Sequence, residues 1–315
     1  MALACGGTSN SPGFGDVGDG GSSGSGGSGS SGSGSGGSGS SSGGVIGGSG
    51  SGGSGSSSGG NGCSGAAANY VYVLSVQNDL YSFAPNLKQF TKIGPLQCQT
   101  GGLTPNSMAV DRNADAYVNY MDPTGAAGAI YKVSTQNASC SPQPVMTLPT
   151  GWTQVGMGYS TIGVGSTSEA LYVDGIGMGT GMGSGLGLVD FGKLTVGPIG
   201  QFTGVLAGQS CELTGTGDGR LFGFFTSTPV YVAQIDKSSG ATANPVPMTG
   251  LQVPTDWAFS FWGGHFYLYT SQGAGTTVTD YDPVSGAINL NFMPNIGFDI
   301  VGAGVSTCAP TIPPQ

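Results

Sequence analysis

The sequence predicts an all-β fold: a β-propeller of about five four-stranded blades closed by the C-terminal strand, preceded by a disordered Gly/Ser linker. One segment of four short strands recurs behind residue 63 at a spacing of roughly 42–53 residues, which is typical of propeller blades. The first unit lacks its own first strand, whereas an additional strand, 299–306, ends the chain. If the terminal strand completes the first blade, the ring closes and its exposed edges disappear.

The strands of each unit follow the same order and are rich in Val, Tyr, Phe and Thr, with Gly, Pro, Asn and Asp at their ends. First strands begin near Ser107, Gly158, Glu212 and Trp257. Second strands are predicted at 70–76, 116–120, 170–173, 220–225 and 265–269. Third strands are predicted at 79–83, 129–134, 187–191, 230–236 and 277–282, and fourth strands at 90–93, 143–147, 194–201, 244–248 and 288–292. A sixth blade in the long third unit and an irregular β-sandwich remain as alternatives.

Four parts follow from the composition. Residues 1–5 form the remnant of a lipoprotein signal with its anchor cysteine, 6–62 a linker, 63–309 the propeller and 310–315 a C-terminal tail. The linker is mostly Gly and Ser, so it cannot bury enough apolar surface to offset the entropy of ordering. A coil of this length spans roughly 40–45 Å.

Cys5 is the predicted lipidation site. The residues before it offer only the small-residue box of a lipoprotein signal, so we expect the remaining signal to lie upstream. The alternative is an unmodified cytosolic cysteine near a ragged terminus. Lipidation would place the protein in the cell envelope, at the outer membrane or the cell surface, with the membrane as a partner through the anchor.

Four segments of the propeller region resemble a family of uncharacterised secreted lipoproteins associated with bacteria of the myxobacterial kind. They are Ser107–Arg112, Glu212–Gly217, Trp257–Gly264 and Val301–Pro310. The resemblance extends over about 70–310. It implies a propeller at the cell surface and implies no activity.

The charge balance excludes one class of partner. The chain has 7 Lys and Arg against 16 Asp and Glu, and no basic stripe that could neutralise phosphates. Nucleic acid is therefore excluded as a partner. We expect a monomer with a protein or glycan ligand and without a cofactor.

Two disulfides are predicted for this oxidising compartment, Cys63–Cys308 and Cys98–Cys140. Cys63 and Cys308 would meet at the same inter-strand corner of blade one if the ring closes as proposed. Cys98–Cys140 would link neighbouring blades, and Cys211 would remain a buried free thiol in blade four. No CxxC spacing occurs, so a zinc site is not predicted.

Catalytic and metal-binding residues are not assigned. His265 reads as a solvated residue at an inter-strand turn, and no Gly-x-Ser-x-Gly elbow lies in the folded region. Glu169 and Glu212 are the two glutamates, and no aspartate series forms a calcium loop. The aspartates are read mainly as turn residues that bond their own backbone: Asp111, Asp115, Asp174, Asp190, Asp218, Asp236, Asp280 and Asp282.

The segment 175–187 has Gly at every odd position and is predicted to be a loop between the second and third strands of blade three. It is either a tolerated insertion or an adaptable contact patch with flexible Met side chains. Trp152 is the candidate for an exposed aromatic residue. The function predicted is a non-catalytic binding or structural module; the alternative is a lyase or glycan hydrolase with its site at the central axis.

Overall fold

A computed structural model describes residues 69–177 and 183–312. Their strands form five four-stranded antiparallel sheets, which confirms the predicted five-bladed propeller and leaves no sixth blade in the third unit. Pro85–Leu87 and Gly204–Leu206 are each a single 3-10 turn. Among the residues described, no helix has the length and apolar character needed to cross a membrane.

Each blade is a meander whose first strand is innermost. Blade I contains β1 (Val71–Ser75), β2 (Asp79–Ala84), β3 (Gln89–Pro95) and, innermost, β20 (Ile300–Val305). Blade II contains β4 (Thr104–Val110), β5 (Asp115–Met121), β6 (Gly128–Ser134) and β7 (Met146–Thr147). Blade III contains β8 (Val155–Thr161), β9 (Glu169–Gly175), β10 (Gly185–Asp190) and β11 (Thr195–Gly200). Blade IV contains β12 (Cys211–Gly215), β13 (Leu221–Phe225), β14 (Tyr231–Ile235) and β15 (Thr242–Pro247). Blade V contains β16 (Asp256–Trp262), β17 (His265–Ser271), β18 (Thr277–Tyr281) and β19 (Ile288–Met293).

The C-terminal strand closes the ring, as the sequence predicted. β20 pairs with β1 in antiparallel register, with Tyr72 opposite Gly304 and Leu74 opposite Gly302. Blade I therefore takes its inner strand from one end of the chain and its three outer strands from the other. Without this pairing, β1 and β20 would each have an edge with unpaired backbone N–H and C=O groups.

Glycines let the inner strands approach one another closely. A Cβ on Gly156 of β8 would lie 2.0 Å from the carbonyl oxygen of Cys211, and one on Gly215 would lie 2.0 Å from that of Tyr159. Gly302 and Gly304 of β20 are crowded in the same way by β4. The small residues expected near the axis are therefore required by backbone contact between blades.

The apolar core consists of five layers, one between each pair of adjacent blades. The layer between blades IV and V, for example, is built around Phe224, Phe259, Phe266 and Leu268, all nearly inaccessible. Because every blade is covered on both sides, strands in the middle of each blade are apolar at consecutive positions, as in VYVLS of β1.

The propeller has two faces, defined by which connections reach them. The inner strands are parallel to one another, so every blade begins at the same end of the propeller. The chain reverses direction at each turn of a blade, and the turns therefore alternate between the two ends. The turn face carries the turns after the first and third strands of each blade, together with residues 69–70 and 306–312. The loop face carries the links after the second strands and the connections between blades.

The cysteines are arranged largely as predicted. Cys98, in the connection between blades I and II, is disulfide-bonded to Cys140 of blade II. Cys211 is free and buried at the start of β12. Cys63 lies outside the described residues, so the Cys63–Cys308 pairing stays a prediction.

The expectation of an exposed Trp152 is wrong. Its side chain is buried, and its ring occupies the space that a Cβ on Gly187 would need, with ring carbons 2.6 and 2.8 Å from that position. The indole therefore belongs to the layer between blades II and III. The prediction rested on the position of Trp152 in a loop, and the sequence did not show that Gly187 would leave space for its ring.

Candidate functional site

His265 is partly buried and hydrogen-bonded, unlike the solvated turn residue that the sequence predicts. It begins β17 directly after the Gly263–Gly264 turn, and its Nδ1 lies 2.8 Å from Oδ1 of Asp280 on β18. The side chain is about one-third exposed, at 32%. In the described part of the chain no hydrogen bond joins it to a Ser, Thr or Cys side chain, so the pair lacks the nucleophile of a hydrolytic triad.

Most aspartates have the turn role predicted for them. Asp111 accepts from the N–H groups of Asn113 and Asp115, and Asp236 accepts from those of Ser238 and Ser239. Asp190 and Asp282 close their turns in the same manner. These carboxylates hold local backbone geometry between strands.

Asp174 departs from the predicted turn role, because it is buried between blades, as Glu212 is too. Asp174 Oδ2 accepts a 2.6 Å hydrogen bond from the N–H of Cys211, and Ser107 Oγ donates to Glu212 Oε2 at 2.8 Å. Burial raises the pKa of both carboxyls well above their usual values. They connect blades II, III and IV; neither side chain reaches solvent.

The inner strands of blades I to IV are closely packed near the central axis. The space between them is lined by backbone and by small or apolar side chains, including Ala109, Met157, Leu213 and Ala303, and it is too narrow for a water molecule. Within the described residues, no three His, Cys, Asp or Glu side chains are grouped to hold a metal ion.

In the described part of the chain, an open groove lies between the outer strands of blades I and V. We call it the I–V groove. It has a volume of about 490 Å³, within the range of small-ligand sites. Its lining residues are Tyr81, Lys88, Phe90, Phe292, Met293, Pro294, Asn295, Ile296 and Phe298.

Four aromatic rings give the I–V groove its walls. Tyr81 of β2 stacks on Phe298, with ring centroids 4.4 Å apart and planes 12° from parallel. Phe90 of β3 meets Phe298 edge-on at 5.7 Å. Phe292 forms the other wall and packs against the buried Tyr267 at 5.6 Å. These contacts hold the rings in place, so the groove is formed before any ligand arrives.

Lys88 is the single charged residue of the groove. It ends the short helix Pro85–Leu87, and its Nζ lies 4.3 Å from the centroid of the Phe292 ring. The same ammonium donates to the carbonyl oxygen of Phe292 at 3.2 Å. A lone cation beside aromatic faces can orient a polar ligand, but it supplies no acid–base pair for catalysis.

Sequence reasoning missed this groove. Its residues come from 81–90 and from 292–298, and they meet only because β20 closes the ring between blades V and I. The signal that could have found them is the pairing of aromatic residues on the outer strands of the first and last units.

The glycine-rich segment of blade III is shorter as a loop than predicted. β9 extends through Gly175 and β10 begins at Gly185, and these two residues face each other in register. The tip, 178–182, lies outside the described residues. The contact patch expected there remains a prediction.

No family model matches the chain, and no curated protein does. Among solved structures it is similar to TolB from Acinetobacter baumannii, at 15% identity over 73% of this chain and 54% of that one, with a TM-score of 0.42. A nidogen/laminin complex structure has 10% identity over 75% and 97%, with a TM-score of 0.47. A gluconolactonase from Xanthomonas campestris has 12% identity over 64% and 68%, with a TM-score of 0.40.

These similarities carry no argument about activity. All three proteins share at most 15% of their residues with this chain. The chain spans about half the length of TolB. Propellers support many unrelated functions, so function has to be argued from the residues of this chain.

Proposed function

We propose that this protein is a lipid-anchored, surface-displayed propeller that serves the cell envelope as a non-catalytic binding or structural module. The lipid would be attached to Cys5, and residues 6–62 would tether the propeller to the membrane surface. A Gly/Ser coil of that length spans roughly 40–45 Å, enough to clear the headgroup layer.

The observation that carries the binding role is the I–V groove. It combines a volume of about 490 Å³ with aromatic walls and a single ammonium group. Rings held by their neighbours lose little freedom when a ligand binds, which favours recognition. The groove contains no paired carboxylates and no histidine.

The ligand class that fits the groove is a partly apolar surface with polar edges. The apolar faces of sugar rings and the aromatic side chains of proteins both have this character. Phe292 and Phe298 would contact the flat surface, and Lys88 would contact an oxygen at its edge. This agrees with the protein or glycan ligand expected from the sequence.

The enzymatic alternative gains no support from the axis. A lyase or glycan hydrolase there would need space for a sugar beside titratable groups, whereas the inner strands touch. Glu212, the nearest carboxyl on an inner strand, is sealed by Ser107 and the surrounding blades.

Binding would be tested with the full chain carrying Cys5→Ser, which stays unacylated, on arrays of glycans and envelope polysaccharides. We expect Phe292→Ala to weaken binding of any ligand found by about tenfold or more, because it removes one wall of the groove. Leu188→Ala is the matched control, since Leu188 is a partly exposed apolar residue on blade III, away from the groove. Equal binding by both variants, with unchanged thermal unfolding, would remove the groove from the proposal.

A further inference from the structure

Exposed aliphatic side chains are concentrated on the turn face. In the described part of the chain, six of the ten exposed Leu, Ile and Val residues lie there, against three on the loop face. The six are Leu87, Ile162, Val164, Leu194, Val284 and Ile312.

These residues lie in the turns between strands and are largely exposed to solvent. Val164, between β8 and β9, is 87% exposed, and Val284, between β18 and β19, is 94% exposed. Isolated exposed aliphatic residues are ordinary in soluble proteins. A set that projects from blades I, III and V in one direction is different, because it can meet a single flat surface at the same time.

Basic residues share this face. Five of the seven Lys and Arg residues lie in its turns: Lys88, Arg112, Lys193, Arg220 and Lys237. The side chain of Lys193 is 79% exposed and stands next to Leu194. Aspartates lie in or beside the same turns and stay ionised, since hydrogen bonds lower the pKa of Asp190, Asp236 and Asp282. Lys193 is itself paired with Asp190, so the basic residues give the face no excess of positive charge. The apolar tips therefore provide the attraction to a headgroup layer.

The chain also enters the propeller on this face. The described residues begin at Asn69, whose carbonyl oxygen accepts a 2.8 Å hydrogen bond from the indole N–H of Trp262 at the turn-face end of β16. The 68 residues that precede Asn69, with Cys5 among them, are thus joined to the turn face and not to the loop face.

We propose that the turn face is a peripheral membrane-contact surface, with a lipid headgroup layer as its partner. The tips of the blade I, III and V turns enter the boundary between headgroups and acyl chains, in the manner of other interfacial apolar residues. This rests on the membrane tether of the proposed function. Contact by this face directs the loop face away from the membrane.

The test attaches the full chain to vesicles through Cys5, without relying on native acylation. Vesicles of phosphatidylethanolamine and phosphatidylglycerol would carry a small fraction of maleimide-headgroup lipid. Cys98, Cys140 and Cys308 are disulfide-bonded and Cys211 is buried, so Cys5 is the intended point of coupling. Cys5→Ser provides the uncoupled control and shows whether Cys63 reacts with the maleimide. Hydrogen exchange is then compared with that of the free protein.

We expect amide exchange in the turns 162–168 and 282–287 to slow by about threefold or more on coupling, while 201–210 and 248–255 of the loop face keep their rates. Val164→Asp with Val284→Asp should abolish the slowing. Val205→Asp with Val253→Asp, at exposed loop-face positions, is the matched control and should leave it intact.

The proposal is overturned if coupling slows neither turn, if it slows both faces equally, or if the turn-face aspartate variant retains its protection. Because the coupling is chemical, these results do not depend on whether Cys5 is acylated in the host. That question is answered separately by mass spectrometry of the native protein.

Discussion

Asp174 of β9 accepts a 2.6 Å hydrogen bond from the backbone N–H of Cys211, the first residue of β12 in the neighbouring blade. The carboxyl group is completely buried, and its Oδ1 has no hydrogen-bond partner among the residues that the structure describes. Burial of the charged form raises the pKa of this group well above its usual value. The contact therefore joins two blades through a group whose ionisation opposes folding.

Asp174→Asn is expected to stabilise the protein more at pH 8 than at pH 5. Below the unfolded pKa of about 4, the carboxyl is protonated in both states, and the free energy of unfolding is at its full value. As the pH rises from there towards the raised folded pKa, the unfolded state is favoured because it ionises more easily, and stability is lost. Asparagine keeps an oxygen for Cys211 and never ionises. Urea unfolding at both pH values measures the difference.

Asp190→Asn serves as the control for this pH dependence. Asp190 is an exposed turn residue whose pKa is lowered by hydrogen bonds from Lys193, so it stays ionised between pH 5 and 8. Its substitution should change stability by the same amount at both pH values. An equal effect of pH on the two variants would contradict the assignment to Asp174.

Gly156→Ala should destabilise the propeller by about 3 kcal/mol, because the added methyl group would overlap the Cys211 carbonyl at 2.0 Å and force two blades apart. Gly163→Ala is the matched substitution in the following turn, where nothing lies within 4 Å of the new Cβ. Its expected effect is within about 0.5 kcal/mol of zero. Chemical denaturation measures the free energy of unfolding of both variants. Equal losses would show that the close contact at Gly156 is not the cause of the destabilisation.

Loss of the Cys98–Cys140 disulfide should lower the free energy of unfolding by about 4 kcal/mol in the chain-entropy treatment, given a sequence separation of 42 residues. The Cys98→Ser, Cys140→Ser double variant tests this by urea unfolding. The single variant Cys98→Ser should cost about as much, since either change breaks the bond. A loss below about 1 kcal/mol would show that the connection between blades I and II is held by its other contacts.

Removal of residues 300–315 should abolish cooperative unfolding. The deletion takes β20 from blade I and exposes the inner edge of β1 together with the apolar layers on either side. Removing only 313–315 leaves every described strand in place and should preserve the transition. Differential scanning calorimetry distinguishes the two, and a cooperative peak from the longer deletion would contradict closure by β20.

The sequence was sufficient to predict the fold because each blade repeats the same local chemistry. The predicted closing strand 299–306 coincides with β20, and the units beginning near Ser107 and Glu212 coincide with inner strands. Strand and turn signals of this kind arise within a few residues, so they can be read without knowing what packs against them.

Side-chain environments were harder to predict because they depend on neighbouring blades. Asp174 resembles the turn aspartates in sequence, yet its burial arises from the apposed β12. Phe292 and Tyr81 are 211 positions apart and share a groove only through ring closure. The error at Trp152 has the same origin, since the space for its ring is made by Gly187 on another strand.

The most direct test of the proposed function is intact mass spectrometry of the protein from fractionated envelopes of its native host. The account predicts an acylated Cys5 as the mature terminus, recovered with the outer membrane. An unmodified Cys5 in the soluble fraction would contradict the lipid anchor and with it the envelope location.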